Sequence, residues 1–263
     1  DGRFKVGFFA AAEYENRRKG IALLPAVCAA MAGRGIPIQV VVTGIGWERT
    51  LAKPEFRSLP ITAITVPSYF DMPDAYSPLD AYLCLSRVEG GPMPVFEALA
   101  SGVPVVSTRV GMILDLLAPD SMYRSIPFDD PAAAAEQLAR LRERPEEARA
   151  LCDRAGTVLE SRLSLETYQR DLARFYGQAV GLADVPASGV SPKEQNRLRH
   201  RWRAWDRTYW AKELWSAGRK KQACRFMLEA FLMDPLCEGI WRVPARALGW
   251  KQDETTGFGS LDP

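Results

Sequence analysis

Histidine is almost missing from this 263-residue chain; His200 stands alone. Catalytic triads built on an imidazole base and metal sites built on several imidazoles are therefore nearly excluded. The five cysteines (Cys28, Cys84, Cys152, Cys224, Cys237) are odd in number and include no CxxC pair, so neither a disulfide framework nor a zinc site is indicated. Reduced thiols of a cytosolic protein are the simplest reading. No apolar run reaches the ~18–20 residues of a membrane-crossing helix. The longest candidate, Ile21 to Gly33, is Ala-rich and reads as a buried helix. No basic leader with an apolar core precedes the first strand. The chain opens at Asp1 rather than at Met, which reads as a cut edge of a longer protein. The expected location is cytoplasmic, with peripheral placement at the inner face of a membrane as its variant.

What is present is ordinary for a globular protein: 47% hydrophobic and 25% charged residues, which excludes disorder for most of the chain. The length suits one large domain and one small one. A net charge of +2 hides an asymmetry. Between Lys193 and Arg225 eleven Lys/Arg face three Asp/Glu, a balance of +8, so the remainder carries −6. Such a patch seeks phosphate-rich partners or an anionic surface; a solvated helix face is an equal alternative. Nucleic acid is not the expected partner.

Continuous apolar runs at Val6–Phe9, Ile38–Val42, Ile61–Val66, Asp80–Leu85, Val103–Ser107 and, more weakly, Met122–Ile126 read as strands. Helical segments separate them: Gly20–Ala32, Trp47–Lys53, Asp71–Ser77, Pro94–Ser101 and Ile113–Leu117. Further helices are expected over Ala132–Arg144, Pro145–Glu160 and Leu165–Val180, with Pro131 near the first helical position. Alternating strands and helices with unbroken apolar strands call for an α/β, doubly wound parallel sheet covered on both faces. In such sheets ligands bind beyond the carboxyl ends of the strands.

Residues 181–192 (GLADVPASGVSP) read as a linker between a domain of residues 1–180 and a Trp-rich, basic helical tail, residues 193–263. Six of seven tryptophans lie in the tail. Trp202, Trp205 and Trp210 have helical spacing and read as core rather than as sugar-stacking platforms. Trp210 to Pro235 resembles one tetratricopeptide unit, with Ala211, Leu214, Gly218, Ala223, Met227, Ala230 and Pro235 at its small and large positions. A single unit cannot bury its own face.

The chemistry concentrates in Glu89-Gly90-Gly91-Pro92-Met93-Pro94-Val95-Phe96-Glu97, continuing through Ala98 to Val106. Two glutamates stand eight positions apart, the first in a Gly-rich loop beyond a strand end and the second expected in the first turn of the next helix. Gly90 and Gly91 admit close backbone approach, and a helix N-terminus suits a diphosphate. Glu97 has the reach to accept hydrogen bonds from a vicinal ribose diol, and Glu89 to contact a sugar. Each feature alone is also ordinary, since acidic residues favour first helical turns and Gly-Gly-Pro is a common turn. Arg17, Arg18 and Lys19, after the first strand, are cations suited to phosphate oxygens, or a solvated basic loop.

The whole string resembles the EX7E motif of the group-1 glycosyl transferases, family four, retaining enzymes of the GT-B fold. The resemblance covers about residues 3–180. It includes Lys19-Gly20 after the first strand, Gly44-Ile45-Gly46 after the second, the spacing Tyr76…Asp80…Ser86…Glu89, and Ser107-Thr108-Arg109-Val110-Gly111. It implies the Rossmann-like, nucleotide-sugar-binding C-terminal domain of such an enzyme. Glu89 and Lys19 are then the catalytic candidates. Arg17, Arg18, Lys19, Gly44, Glu89, Gly90, Gly91, Met93, Pro94, Val95 and Glu97 are the substrate-binding ones. Glu89 would contact the donor sugar, Glu97 the ribose, and the backbone from Gly90 to Val95 the sugar and diphosphate. Where the family commonly places an Arg directly after the first strand, this chain has Ala10-Ala11-Ala12; Arg17 or Arg18 would substitute. Ser68 and Tyr69, after the third strand, are candidates to border the base.

The implied reaction moves a hexosyl group from a UDP- or GDP-sugar to an acceptor hydroxyl with retention, without metal or cofactor. The acceptor, whether glycan, lipid or protein, is open. An acceptor-binding domain is expected upstream, and the basic tail is a candidate for peripheral membrane contact. Two rivals remain: a non-catalytic nucleotide-sugar-binding or scaffold protein with a degenerate site, and a GT-B sugar-nucleotide epimerase, which lacks this eighteen-residue pattern.

Overall fold

The computed structural model describes residues 2–12, 18–66, 69–179 and 220–233, with scattered positions between 193 and 219. The chain divides into two compact units, residues 1–66 with 71–187, and residues 67–70 with 188–263.

The first unit is built on six strands: β1 (Phe4–Phe9), β2 (Ile38–Thr43), β3 (Ile61–Ala63), β4 (Ala81–Cys84), β5 (Val105–Thr108) and β6 (Arg124–Ile126). They pair in parallel throughout, in the order β3-β2-β1-β4-β5-β6. Helices connect them: α1 (Leu24–Gly33), α2 (Trp47–Leu51), α3 (Met72–Tyr76), α4 (Met93–Ala100), α5 (Ile113–Leu116), α6 (Pro131–Glu143), α7 (Pro145–Leu163) and α8 (Leu165–Ala179). The expected doubly wound α/β sheet is therefore present. Alternate side chains of the strands feed two cores. Val6, Phe8, Val40, Leu83 and Val106 pack with α1 and α6 on one face; Phe9, Tyr82, Cys84 and Val105 pack with α3, α4 and α7 on the other. Burial on both faces is why these strands read as unbroken apolar runs. It also pushes the Cys28 and Cys152 thiols up to about 11.

Several element bounds depart from the sequence reading: β1 starts two residues early, at Phe4, and α7 runs three residues past Glu160. β3 ends at Ala63, although the Ile64 N–H still donates to the Val42 carbonyl at 2.8 Å. The first helix opens as a 3-10 turn, Ile21–Leu23, after Gly20 in the left-handed region, and becomes α-helical at Leu24. α4 begins at Met93, one residue early, which puts Glu97 in its second turn rather than its first. The helix dipole therefore offers Glu97 less than expected.

The strand order reverses between β1 and β4, the point at which doubly wound sheets open a ligand crevice. Pairing there is short. β1 matches β2 over six residues but β4 over only Val6↔Ala81 and Gly7↔Tyr82. Beyond Gly7 the Tyr82 side chain takes over the ladder: its hydroxyl accepts from the Phe9 N–H and donates to the Phe9 carbonyl, each at 3.3 Å. Burial holds the Tyr82 phenol well above its ordinary pKa, so it stays a donor. Gly7 makes room, since a Cβ there would lie 2.4 Å from Leu79 Cδ1 and 3.1 Å from the Tyr82 ring.

In the second unit the described residues include α9 (Lys220–Met233), with Ala204, Met227 and Ala230 packed together. Trp202, Trp205, Trp210, Trp241, Trp250, residues 181–192 and several tetratricopeptide-like positions lie outside the described residues.

Candidate active site

At the carboxyl end of the sheet three loops are zipped together by backbone contacts. The Arg87 N–H donates to the Arg18 carbonyl at 2.8 Å, and a Cβ on Gly20 would lie 2.4 Å from the Leu85 carbonyl oxygen. The turn Arg18-Lys19-Gly20 thus lies against Leu85-Ser86-Arg87, which extends β4. On the other side, a Cβ on Gly111 would lie 2.4 Å from the Gly90 oxygen and 2.6 Å from the Glu89 oxygen. The Met112 N–H donates to Gly90 at 3.0 Å. The loop bearing Glu89 is clasped between the turns after β1 and β5.

The side chains converge accordingly. Glu89 is almost enclosed, its side chain 7% exposed. Its Oε1 accepts from Lys19 Nζ at 2.5 Å and from Ser86 Oγ at 2.7 Å; its Oε2 accepts from Arg18 Nη1 at 3.2 Å. Ser86 is in turn fixed by Thr108, whose hydroxyl donates to the Ser86 carbonyl at 2.5 Å. Both are buried. Lys19 is 17% and Arg18 40% exposed. A small cavity, about large enough for one water, is lined by Lys19, Ser86, Glu89, Tyr82 and Pro92 at the β1–β4 divergence. Two cations against one carboxylate leave this cluster with a net positive charge, suited to an anion.

Between the two glutamates the backbone is a sparser donor array than the string suggested. Pro92 and Pro94 have no N–H. The Met93 and Val95 N–H groups already donate to Gly91 and Pro92 carbonyls at 2.8 and 2.9 Å. Among the described residues the Gly90 and Gly91 N–H groups have no partner. Pro94 and Val95 therefore line the site without offering amides, and Met93 is an exposed neighbour. Glu97 is half-buried on α4 and accepts a 2.7 Å hydrogen bond from the Tyr76 hydroxyl. Gly44 (φ +124°) presses on the turn after β1, where a Cβ would sit 2.3 Å from the Ala10 oxygen. The Trp47 indole N–H donates to that same oxygen at 2.8 Å. In this structure Gly44 is explained by packing.

Arg17 and Ser68 lie outside the described residues; Tyr69 is exposed. Among the described residues no cluster of His, Cys, Asp or Glu is arranged to hold a metal ion, and no helix is long and apolar enough to cross a membrane. Sequence spacing did not reveal Tyr82, which supports the site from a buried position; its only signal was a polar atom inside an apolar run. Thr108 was part of the string matched after the fifth strand, but its support of Ser86 was not foreseen.

Comparison with known proteins identifies the family of this fold. Residues 3–144 match the model of the family glycosyl transferases group 1, more than half of the chain, and the chain belongs to that family. WcaL of Escherichia coli (strain K12), named as a colanic acid biosynthesis glycosyltransferase, is 26% identical over 169 residues, 60% of this chain and 42% of WcaL. S. aureus TarM, solved with fondaparinux, α-GlcNAc-glycerol and UDP, superposes with a TM-score of 0.58 at 15% identity, covering 67% of this chain and 36% of TarM. The C-terminal domain of the group 1 protein LpcC from Francisella tularensis superposes with a TM-score of 0.53 at 18% identity, covering 62% of this chain and 88% of that domain. The two structural likenesses show the shared fold. The chain spans less than half the length of WcaL and of TarM.

Proposed function

We propose that this chain is the donor-binding half of a retaining, metal-independent glycosyltransferase, which passes a hexosyl group from a UDP- or GDP-sugar to an acceptor hydroxyl and releases UDP or GDP. The observation that carries the reading is the Glu89 carboxylate held by Lys19, Arg18 and Ser86 at the β1–β4 divergence, beside the Gly90 and Gly91 amides. The presence of UDP in TarM supports a nucleoside diphosphate donor, and the fit to an isolated C-terminal domain supports assignment as one half of an enzyme. Retention rests on the EX7E resemblance. The acceptor domain lies in the rest of the full-length protein, and the basic tail contacts an anionic surface where the acceptor is presented.

As the bond between sugar and diphosphate breaks, negative charge gathers on the departing oxygen. Fixed cations and N–H groups aimed at it stabilise that charge without reorganising. Lys19 supplies a point charge and Arg18 a fork for phosphate oxygens; Arg17 is the alternative on the same loop. Without donor these cations are held by Glu89. With donor they turn to the diphosphate, and Glu89 receives hydroxyls of the sugar while Glu97 receives those of the ribose.

The test is thermal stabilisation by UDP and GDP in the presence of EDTA. Ligand at ~100 times its Kd adds ~2.7 kcal/mol. Glu97→Ala should weaken free nucleotide by ~1.5–3 kcal/mol, the scale of a hydrogen bond to a charged group. Glu89→Ala should not weaken free nucleotide, because it removes the carboxylate that competes for Lys19 and Arg18; it should abolish turnover in the full-length enzyme. Absence of any shift with millimolar nucleoside diphosphate would sink the reading, and so would equal losses in the two variants.

A further inference from the structure

We infer that Tyr76 is a positioning residue for nucleotide recognition: its hydroxyl pre-sets the Glu97 carboxylate for the two ribose hydroxyls. The inference rests on the reading of Glu97 as the ribose ligand, and adds how a glutamate in mid-helix is made specific. A free glutamate there would sample several rotamers, and a ligand would have to freeze them. Ordering before binding removes that cost.

The geometry supplies the ordering in three steps. Tyr82 is fixed first, its hydroxyl bonded to both backbone groups of Phe9. Phe9, Tyr76 and Tyr82 then form a closed ring cluster, with centroids 4.9 Å apart for Phe9–Tyr76, 5.6 Å for Phe9–Tyr82 and 6.0 Å for Tyr76–Tyr82. Tyr76, the last residue of α3, is 1% exposed, so its ring cannot turn without disturbing the cluster. Its hydroxyl finally donates to Glu97 Oε2 at 2.7 Å. A carboxylate accepts at about four lone-pair sites. The Tyr76 hydroxyl engages one of them and so orients the group.

The experiment compares the affinity of the chain for UDP and GDP with that for their 2′,3′-dideoxy analogues, in wild type, Tyr76→Phe, Glu97→Gln and the double variant. Tyr76→Phe keeps the ring and its packing, and unchanged unfolding transitions confirm that the fold survives. Expected is an about tenfold loss of the preference for the ribose form in Tyr76→Phe, the size of a hydrogen bond to a charged group. Affinity for the dideoxy analogues should stay constant. The losses from Tyr76→Phe and Glu97→Gln should not add, because both act through one carboxylate. A packing role alone would move both ligand forms together. If wild type prefers the ribose form and Tyr76→Phe keeps that preference in full, or if the losses add, this inference is overturned while the glycosyltransferase reading stands. If wild type binds nucleotide without preferring the ribose form, the ribose role of Glu97 falls and this inference with it. If it binds neither nucleotide, the donor reading falls as well.

Discussion

Replacing Gly111 by alanine would place a carbon 2.4 Å from one loop carbonyl and 2.6 Å from another, at a backbone φ of +53°. The displaced groups belong to Gly90 and Glu89, so strain should reach the site directly. Gly111→Ala should cost ~1–3 kcal/mol in chemical denaturation and also weaken UDP, because Glu89, Lys19 and Arg18 move with the loop. Stability and UDP affinity both equal to wild type would show that the clasp is not tight. Single residues divide by how visible their reasons were. Glu89 and Lys19 were legible because a long specific string surrounds the one and a Gly follows the other. Gly20 and Gly111 were legible as glycines within patterns, but their reasons are backbone carbonyls more than twenty residues away in sequence, which no local spacing encodes. Tyr76 was noted for spacing alone; its bond to Glu97 depends on how α3 and α4 pack.

Elements were easier to read than their ends. A strand buried on both faces announces itself by composition, and all six strands were anticipated. The end of β3 was not, since the chain leaves the sheet while its residues are still apolar. The start of α4 was missed by one residue because Pro92 and Pro94 both fit a helix start. That single residue moved Glu97 from the end of the first turn to the start of the second. Buried charge escaped altogether. Arg124 on β6 is buried and paired with Glu147 in the first turn of α7, which also pairs with Arg140 and Arg144. Arg124 Nε has no partner among the described residues. Removing Glu147 would strand this guanidinium. Glu147→Ala should destabilise by about 3 kcal/mol, the lower end for breaking a buried pair, because Glu147 is itself partly exposed. The hydrogen bond from Arg140, with smaller help from Arg124, holds the Glu147 carboxyl below its ordinary value of 4.5. The folded state therefore releases this proton more readily than the unfolded chain does. The contribution is complete above about pH 4.5 and disappears as pH falls through the lower folded value. Wild type should lose stability in that acid window more than Glu147→Ala does. Parallel curves for the two in acid denaturation would reject the linkage.

At the scale of the whole molecule most of the candidate donor site and the basic excess fall in different units. Every placed donor-site candidate except Tyr69 lies in residues 1–66 and 71–187, which have their own cores on both faces of the sheet. The basic excess lies in the other unit. There the described helix α9 exposes Leu228, Phe231 and Leu232 as well as Lys220, Lys221 and Arg225. Cations beside exposed apolar side chains suit an anionic bilayer surface, where charge draws the helix in and apolar groups anchor it. A solvated basic face would lack any anchoring. The two roles should therefore separate on truncation. A chain ending at residue 192 should keep its stabilisation by UDP, since no donor-site side chain is lost. The full chain should float with vesicles containing phosphatidylglycerol, and the truncated chain should not. Raising salt shortens the screening length from ~10 Å at 0.1 M to ~3 Å at 1 M. Vesicle binding should accordingly fall steeply with salt, while UDP binding falls less, its charges being partly enclosed. Vesicle binding that survives truncation would move the contact to the sheet unit. Absence of binding at low salt would leave the basic face solvated. Loss of the UDP response on truncation would mean that the tail completes the donor site.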